Sequence, residues 1–150
     1  DVCSSDLDPR QRMESFLLTL PTEEVAVGGS WRDPMDVPVR TEGKLMTKVR
    51  LQTTYTLDKV EGSEAHVSYK TVVLTPLEDP RVVAQLMQRE MTGRFVFDLE
   101  AGRVVTREAK LDRSVVGAFG AQSNLKATAD YSEKLVPAIT AARETTSAVK

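Results

Sequence analysis

The stretch GKLMTKVRLQTTYTLDKVEGSEAHVSYKTVVL, residues 43–74, decides the fold of this chain. Its first half alternates apolar or aromatic residues with polar ones over a dozen positions, as at Val49, Leu51 and Tyr55. A period of two is typical of a strand with one buried and one solvated face. The segment EGSE at residues 61–64 is turn chemistry, and the alternation resumes after it. We therefore predict a long antiparallel hairpin with one dry face.

A second hairpin is predicted at GRFVFDLEAGRVVTREAKLD, residues 93–112. Its turn is placed at Ala101-Gly102, because glycine tolerates the backbone conformations that tight turns require. The side chains assigned to the inner face of this hairpin are Phe95, Phe97, Leu99, Val105, Ala109 and Leu111. GAFGAQS, residues 117–123, predicts a loop, and residues 123–136 predict a last strand. The inward side chains of that strand are Leu125, Ala127, Ala129 and Tyr131.

Three further elements are shorter than the hairpins. Residues 8–20 predict a helix with Asp8 as its N-cap. The apolar stripe of this helix, at spacing i, i+3, i+4 and i+7, consists of Met13, Phe16, Leu17 and Leu20. Residues 35–40 predict an edge strand, because Pro38 has no N–H to donate to a ladder. Residues 80–88 predict a short helix or irregular structure.

These elements predict an α+β fold that is mainly β, with a short N-terminal helix followed by a curled antiparallel meander of about six strands. Long strands twist, so the sheet is expected to form an open half-barrel. The predicted domain spans residues 8–136, and the tail at 137–150 is expected to fray. An unclosed meander leaves two sheet edges. Pairing at an edge, or contact through the apolar stripe of the predicted helix, predicts self-association at micromolar concentrations.

The opening segment DVCSSDL, residues 1–7, is expected to be non-native. It resembles the in-frame translation of a common sequencing-adapter end, so it is set aside from fold reasoning. No initiator methionine stands before it, and we expect the chain to be a fragment. A signal peptide or a lipid anchor would then lie upstream. The segment also contains Cys3, the only cysteine of the sequence.

Composition argues against several classes of protein. The 150 residues carry 20 basic and 22 acidic side chains, and without Asp1 and Asp6 the balance is 20 against 20. A neutral chain lacks the positive surface typical of nucleic-acid and membrane-surface binders. No apolar run approaches the roughly 18 residues that a transmembrane helix needs. Without Cys3, disulfides, thiol catalysis and cysteine-based zinc sites are excluded as well.

The sequence predicts no catalytic, cofactor or metal site, so we expect a protein that is not an enzyme. His66, the only histidine, lies on the polar face of its strand, which favours a surface role. Asp98 and Glu100 are expected on one strand face about 7 Å apart, and a carboxylate-pair hydrolase could use such a pair. Two charges flanking a hairpin turn explain the same pattern, and we favour that interpretation.

VGGSW, residues 27–31, contains the only tryptophan. Gly28 and Gly29 allow a sharp turn or a bulge directly before Trp31. The indole is either a ligand-stacking platform or an aromatic plug that closes one end of the core, and the plug is favoured. Trp31 is therefore the one candidate ligand-binding residue.

Three segments, LPTEEVAVGGSW, YTLDKVEG and FVFDLEAGRVV, together resemble an uncharacterised family of exported bacterial proteins that are often lipoproteins. The family pattern is Leu-Pro, Val-x-x-Gly-Asp/Glu-Ser-Trp, a long Thr-rich hairpin and a Phe-Asp-x-x-x-Gly turn. The resemblance covers roughly residues 20–135, and Gly29 stands where the family usually has an acid. It implies the C-terminal part of a longer protein of the periplasm or cell envelope, with no catalytic residue to carry over.

Two functions from different classes follow as hypotheses. The first is a non-catalytic cell-envelope domain whose curled sheet binds an apolar ligand, a peptide or a partner protein. The second is a hydrolase that uses Asp98 and Glu100. A purely structural spacer domain is a third possibility. The position of the two carboxylates relative to any cavity separates the first hypothesis from the second.

Overall fold

A computed structural model describes residues 18–41 and 46–136 of the chain. The strands in these ranges are β1 (Ser30–Arg40), β2 (Met46–Glu61), β3 (Glu64–Val73), β4 (Thr92–Asp98), β5 (Arg103–Val116) and β6 (Asn124–Lys134). A helix, α1 (Pro80–Leu86), continues into a 3-10 turn at Met87–Arg89. The segment at 1–7, most of the helix predicted at 8–20 and the tail at 137–150 lie outside the described residues.

All six strands belong to one open antiparallel sheet, in the order β1-β2-β3-β4-β5-β6. The prediction of a mainly β fold built as an antiparallel meander is confirmed. Each strand pairs with its neighbours in sequence, as short connections require. Within residues 18–41 and 46–136, no strand lies beyond β1 or β6, so these two are the edge strands. Pro34 and Pro38 lie on β1, where an edge position tolerates their missing N–H groups.

The hairpin of β2 and β3 follows the alternation in the sequence. Its buried side chains, which define the inner face of the sheet, are Val49, Leu51, Thr53, Tyr55, Ala65, Val67, Tyr69 and Thr71. Gly62 in the turn has a φ of +61°, which the missing Cβ makes accessible. Tyr55 pairs directly with Tyr69 across the two strands. The pairing sets two aromatic side chains next to each other on the inner face.

Helix α1 covers one end of the inner face. The Asp79 carboxylate caps the helix by accepting a hydrogen bond from the Arg81 N–H at 2.9 Å, and Pro80 lies in the first turn. The helix buries Val82 and Leu86. Their buried neighbours on the strands are Val39, Val49 and Leu51. The sequence predicted either a short helix or irregular structure for residues 80–88. The structure has a helix there, which the Asp79 cap and the spacing of the apolar residues stabilise.

The turn between β4 and β5 differs from its prediction. β4 ends at Asp98, and residues 99–102 form the turn, whereas the sequence placed it at Ala101-Gly102 alone. The Asp98 carboxylate accepts hydrogen bonds from the N–H groups of residues 100 and 101, at 2.9 and 3.0 Å. These bonds start the turn directly after Asp98. Leu99 is consequently 54% exposed and does not share the inner face, as had been expected from the alternation.

A β-bulge shifts the face pattern at the start of β5. Val96 pairs with Thr106 and Phe97 pairs with Val104, so Val105 is an extra residue without a partner on β4. The bulge turns Val104 toward the aromatic core, where the alternation predicts Val105. The expectation for Val105 was wrong because an inserted residue changes the phase of every position on one side of it.

Among the described residues, three clusters of buried side chains form the core, and all of them lie on the inner face. The first is the contact between α1 and strands β1 and β2. The second is mainly aromatic and consists of Tyr55, Val67, Tyr69, Phe95 and Ala109. In the third, Met87 packs against Val115 and Ala118, the latter from the predicted loop at 117–123. The sheet therefore has one packed face and one polar face.

Candidate functional site

A cavity of about 580 Å³ lies on the inner face of the sheet and is here called the inner cavity. Its apolar and aromatic lining includes Met35, Tyr55, Met91, Leu111, Ala129 and Tyr131. Met35 belongs to β1 and Tyr131 belongs to β6, so both edge strands contribute to one cavity. Small-molecule sites in proteins occupy roughly 300–1,000 Å³ and are mostly apolar with a few polar groups. The inner cavity has that size and that character.

Aromatic rings form one wall of the inner cavity. Trp31 stacks on Tyr55, with ring centroids 5.3 Å apart and an interplanar angle of 11°. Tyr55 in turn lies 5.7 Å from the Tyr69 ring. The Trp31 indole N–H donates to the Thr19 carbonyl oxygen at 2.7 Å, which satisfies the polar edge of the ring. Tyr55 and Tyr69 line the cavity, whereas Trp31 packs behind Tyr55.

The structure gives the surroundings of Trp31, the candidate ligand-binding residue. The indole is half-buried, lies within β1 and makes its contacts with protein groups. The ring packs against the side of the aromatic cluster and does not lie across the end of the sheet. The aromatic plug that the sequence favoured over a ligand platform stays a prediction.

Hydroxyl groups and one carboxylate interrupt the apolar lining. Thr53 and Thr71 share a buried hydrogen bond of 2.7 Å between their Oγ1 atoms. Asp33 accepts a hydrogen bond from the Thr19 hydroxyl at 2.6 Å. Burial raises the pKa of the Tyr55 hydroxyl, so this group stays protonated at neutral pH. The neutral hydroxyls are hydrogen-bonding groups in the cavity wall that do not need a counter-ion.

Arg107 is the buried charged residue of the cavity. It is 8% exposed, and its Nε donates to the Tyr69 hydroxyl at 3.3 Å. The guanidinium carbon lies 5.7 Å from the Tyr69 ring centroid and 5.6 Å from that of Tyr131, which is cation–π geometry. The Tyr131 hydroxyl donates to Glu133 at 2.7 Å, and this bond is the main cause that raises the pKa of Tyr131.

The sequence interpretation passed over Arg107. The alternation from Ala109 and Leu111 back along β5 places residue 107 on the inner face, and this phase was the available signal. A charged residue at an inward position is uncommon unless it is paired or functional. Such a violation of the face pattern is a better indicator of a site than any short motif in this chain.

The outer face carries a second, smaller concavity of about 350 Å³. His66 and Arg94 are among the residues that line it. The His66 side chain is 26% exposed, and its Nε2 lies 3.5 Å from a carboxylate oxygen of Glu61. His66 thus lies on the polar face, as predicted, although it is partly covered. Among the described residues, no group of three or more His, Cys, Asp or Glu side chains could hold a metal ion.

Asp98 and Glu100 lie at the β4–β5 turn. Asp98 accepts two hydrogen bonds from the turn, one of them from the N–H of Glu100, and the Glu100 side chain is exposed. Neither residue lines the inner cavity or the concavity on the outer face. The geometry expected for a pair on one strand does not form, because the strand ends between the two residues.

Fold and cavity together define a class, a single-sheet antiparallel β protein with a ligand-sized cavity on its packed face. A family model described as a family of unknown function (DUF6263) matches residues 6–102, and the chain belongs to this family. Membership in an uncharacterised family agrees with the sequence interpretation. Searches of curated proteins and of solved structures found no match. In the described part of the chain, no helix is both long and apolar enough to cross a bilayer.

Proposed function

We propose that this protein is a non-catalytic binding domain that holds an apolar small molecule in the inner cavity. The observation that carries the proposal is the cavity itself, about 580 Å³ and lined mainly by aromatic and aliphatic side chains. Protein interiors are closely packed and contain few voids larger than a water molecule. An apolar space that is maintained between two edge strands therefore favours a ligand over a spacer role.

The proposal includes a curled sheet. Six strands spaced about 4.8 Å apart would place β1 and β6 about 24 Å from each other in a flat sheet. Asp33 and Met35 on β1 nevertheless line the same cavity as Ala129 and Tyr131 on β6. We infer that the sheet curls into an open half-barrel, and that a ligand lies across its concave face.

The hydrolase alternative finds less support. An enzyme of that class needs both carboxylates beside the scissile bond, and Asp98 is engaged with its own turn. Neither Asp98 nor Glu100 lines the inner cavity or the concavity on the outer face. The binding proposal uses side chains that converge on one space, and the hydrolase proposal does not.

We also propose that the domain acts in the bacterial cell envelope, after export. This part of the proposal rests on the resemblance to exported proteins in the segments around residues 20–31, 55–62 and 95–105. Fractionation of cells that express the complete gene tests it. Recovery of the protein in the cytoplasmic fraction would contradict the location without affecting the cavity.

The binding proposal is tested with a neutral fluorescent probe, N-phenyl-1-naphthylamine, added to the whole chain. The dye should gain fluorescence when it enters the inner cavity. Ala129 is an exposed residue of β6 that lines the inner cavity. Ala129→Phe should therefore fill part of the cavity and weaken dye binding about tenfold, which corresponds to roughly 1.4 kcal/mol of binding free energy. Ser132→Phe places the same side chain on the opposite face of β6 and is the matched control.

Dye binding that is equal in the two variants would contradict the site, and an absence of dye binding to the parent chain would contradict the function. Circular dichroism of each variant shows whether it is folded. A second readout is the fluorescence of Trp31, which stacks on the cavity residue Tyr55 and should respond to occupancy.

A further inference from the structure

We propose that the ligand of the inner cavity is an anionic amphiphile, with its carboxylate or phosphate group bound by Arg89 and Arg107 and its apolar portion on the aromatic wall. The inference rests on the proposed function and adds the charge and the shape of the ligand. The inference rests on the charged side chains that line the cavity, Asp33, Arg89 and Arg107.

Arg89 supplies the first observation. It belongs to the 3-10 turn at Met87–Arg89, it is half-buried, and it lines the inner cavity. Its side chain has no hydrogen bond or ion pair with the residues that the structure describes. Removing a guanidinium from water without a partner is costly. An anion in the cavity would supply the missing partner and could be held by two parallel N–H donors.

Arg107 supplies the second observation. It lies on the opposite side of the sheet's midline from β1, is 8% exposed, and is held in orientation by the Tyr69 hydroxyl and the rings of Tyr69 and Tyr131. A guanidinium that is fixed by packing loses little conformational entropy when it binds an anion. Its orientation is therefore set before the ligand arrives.

The balance of charge in the lining favours an anion. The charged residues among those that line the inner cavity are Asp33, Arg89 and Arg107, which leaves one net positive charge. Asp33 already accepts a hydrogen bond from the Thr19 hydroxyl. A charge that is partly withdrawn from water acts more strongly than one at the surface. A cationic ligand would meet two arginines, and a neutral one would leave Arg89 without a partner.

The lining also requires an apolar part of the ligand. Met35, Met91 and Leu111 face the cavity, and methionine side chains adapt to irregular apolar molecules. A free inorganic anion has no apolar part and would leave these side chains facing water. The chemistry that satisfies both parts of the lining is one anionic group attached to an alkyl or other apolar body.

The test uses displacement of N-phenyl-1-naphthylamine by two probes of equal chain length, decanoate and decanol. Decanoate should displace the dye at a concentration about tenfold lower than decanol, as expected when charged groups gain a hydrogen-bonded partner. Arg89→Gln should remove most of this advantage and leave displacement by decanol unchanged. Arg89→Lys should restore part of it. Arg32→Gln removes an exposed arginine of β1 and is the matched control.

The outcomes separate the inference from the function on which it rests. If decanoate and decanol displace the dye equally, the anionic class is wrong while the apolar site stands. If Arg89→Gln and Arg32→Gln show the same advantage of decanoate over decanol, Arg89 does not bind the anionic group. Displacement by inorganic phosphate as effective as that by decanoate would show a simple anion site and overturn the amphiphile. If the dye does not bind the parent chain, the proposed function fails first.

Discussion

Replacing Gly93 with alanine is expected to destabilise the domain by about 3 kcal/mol, at the upper end of overpacking effects. An alanine Cβ at this position would lie 2.6 Å from the Tyr69 ring and would also meet the carbonyl oxygen of Glu108. The carbonyl belongs to the backbone of the neighbouring strand β5. The Tyr69 ring is enclosed by Tyr55 at 5.7 Å and by Phe95 at 6.3 Å, so it has little room to move.

The magnitude follows from what must shift. Overpacking, with the side-chain and backbone shifts that it forces, typically costs about 1–3 kcal/mol and occasionally more. Here a strand backbone and a core ring both obstruct the new methyl group. For a domain of this size, about 3 kcal/mol corresponds to a fall in Tm of roughly 10 °C.

The assay is urea unfolding followed by far-UV circular dichroism and by Trp31 fluorescence. Thr92→Ala is the control, because Thr92 is the exposed neighbour of Gly93 on β4 and should change stability by no more than about 0.5 kcal/mol. If Gly93→Ala were as stable as Thr92→Ala, the Tyr69 ring would not lie over Gly93. The description of the aromatic wall would then be refuted.

Further predictions concern other parts of the fold. Trp31→Phe keeps the ring but removes the N–H bond to the Thr19 carbonyl, and should cost about 1 kcal/mol in chemical denaturation. Asp79→Ala should cost about 1 kcal/mol through loss of the α1 cap, while Asp79→Asn should retain most of the stability. The hydrogen bond from Arg50 holds the pKa of Asp36 below its ordinary value of 3.8. Their stabilising interaction should therefore be complete above that pH and be lost as the pH falls through the lowered pKa, and Arg50→Gln should raise the Asp36 midpoint in an NMR titration. Self-association through the open edge of β6 should appear in sedimentation at micromolar concentrations, and a monomer over a hundredfold concentration range would contradict it.

The sequence by itself determined the strands, because each strand has one packed and one solvated face. The alternation at Val49, Leu51 and Tyr55 fixed the phase of β2, and the EGSE segment fixed its turn. The chain order then required an antiparallel meander, since short connections join neighbours. The edge position of β1 followed from Pro38 alone, because a missing N–H excludes a central strand.

The tertiary structure decided where the alternation breaks and which side chains meet. The bulge at Val105 arises in the pairing of β4 with β5, and the early turn after Asp98 depends on the hydrogen bonds that its carboxylate accepts from the turn. Trp31 stood out in the sequence because it is the only tryptophan, whereas Arg107 carries no motif. Its role arises only when β3 and β6 bring two tyrosine rings to either side of its guanidinium, a contact between residues that are far apart in the chain.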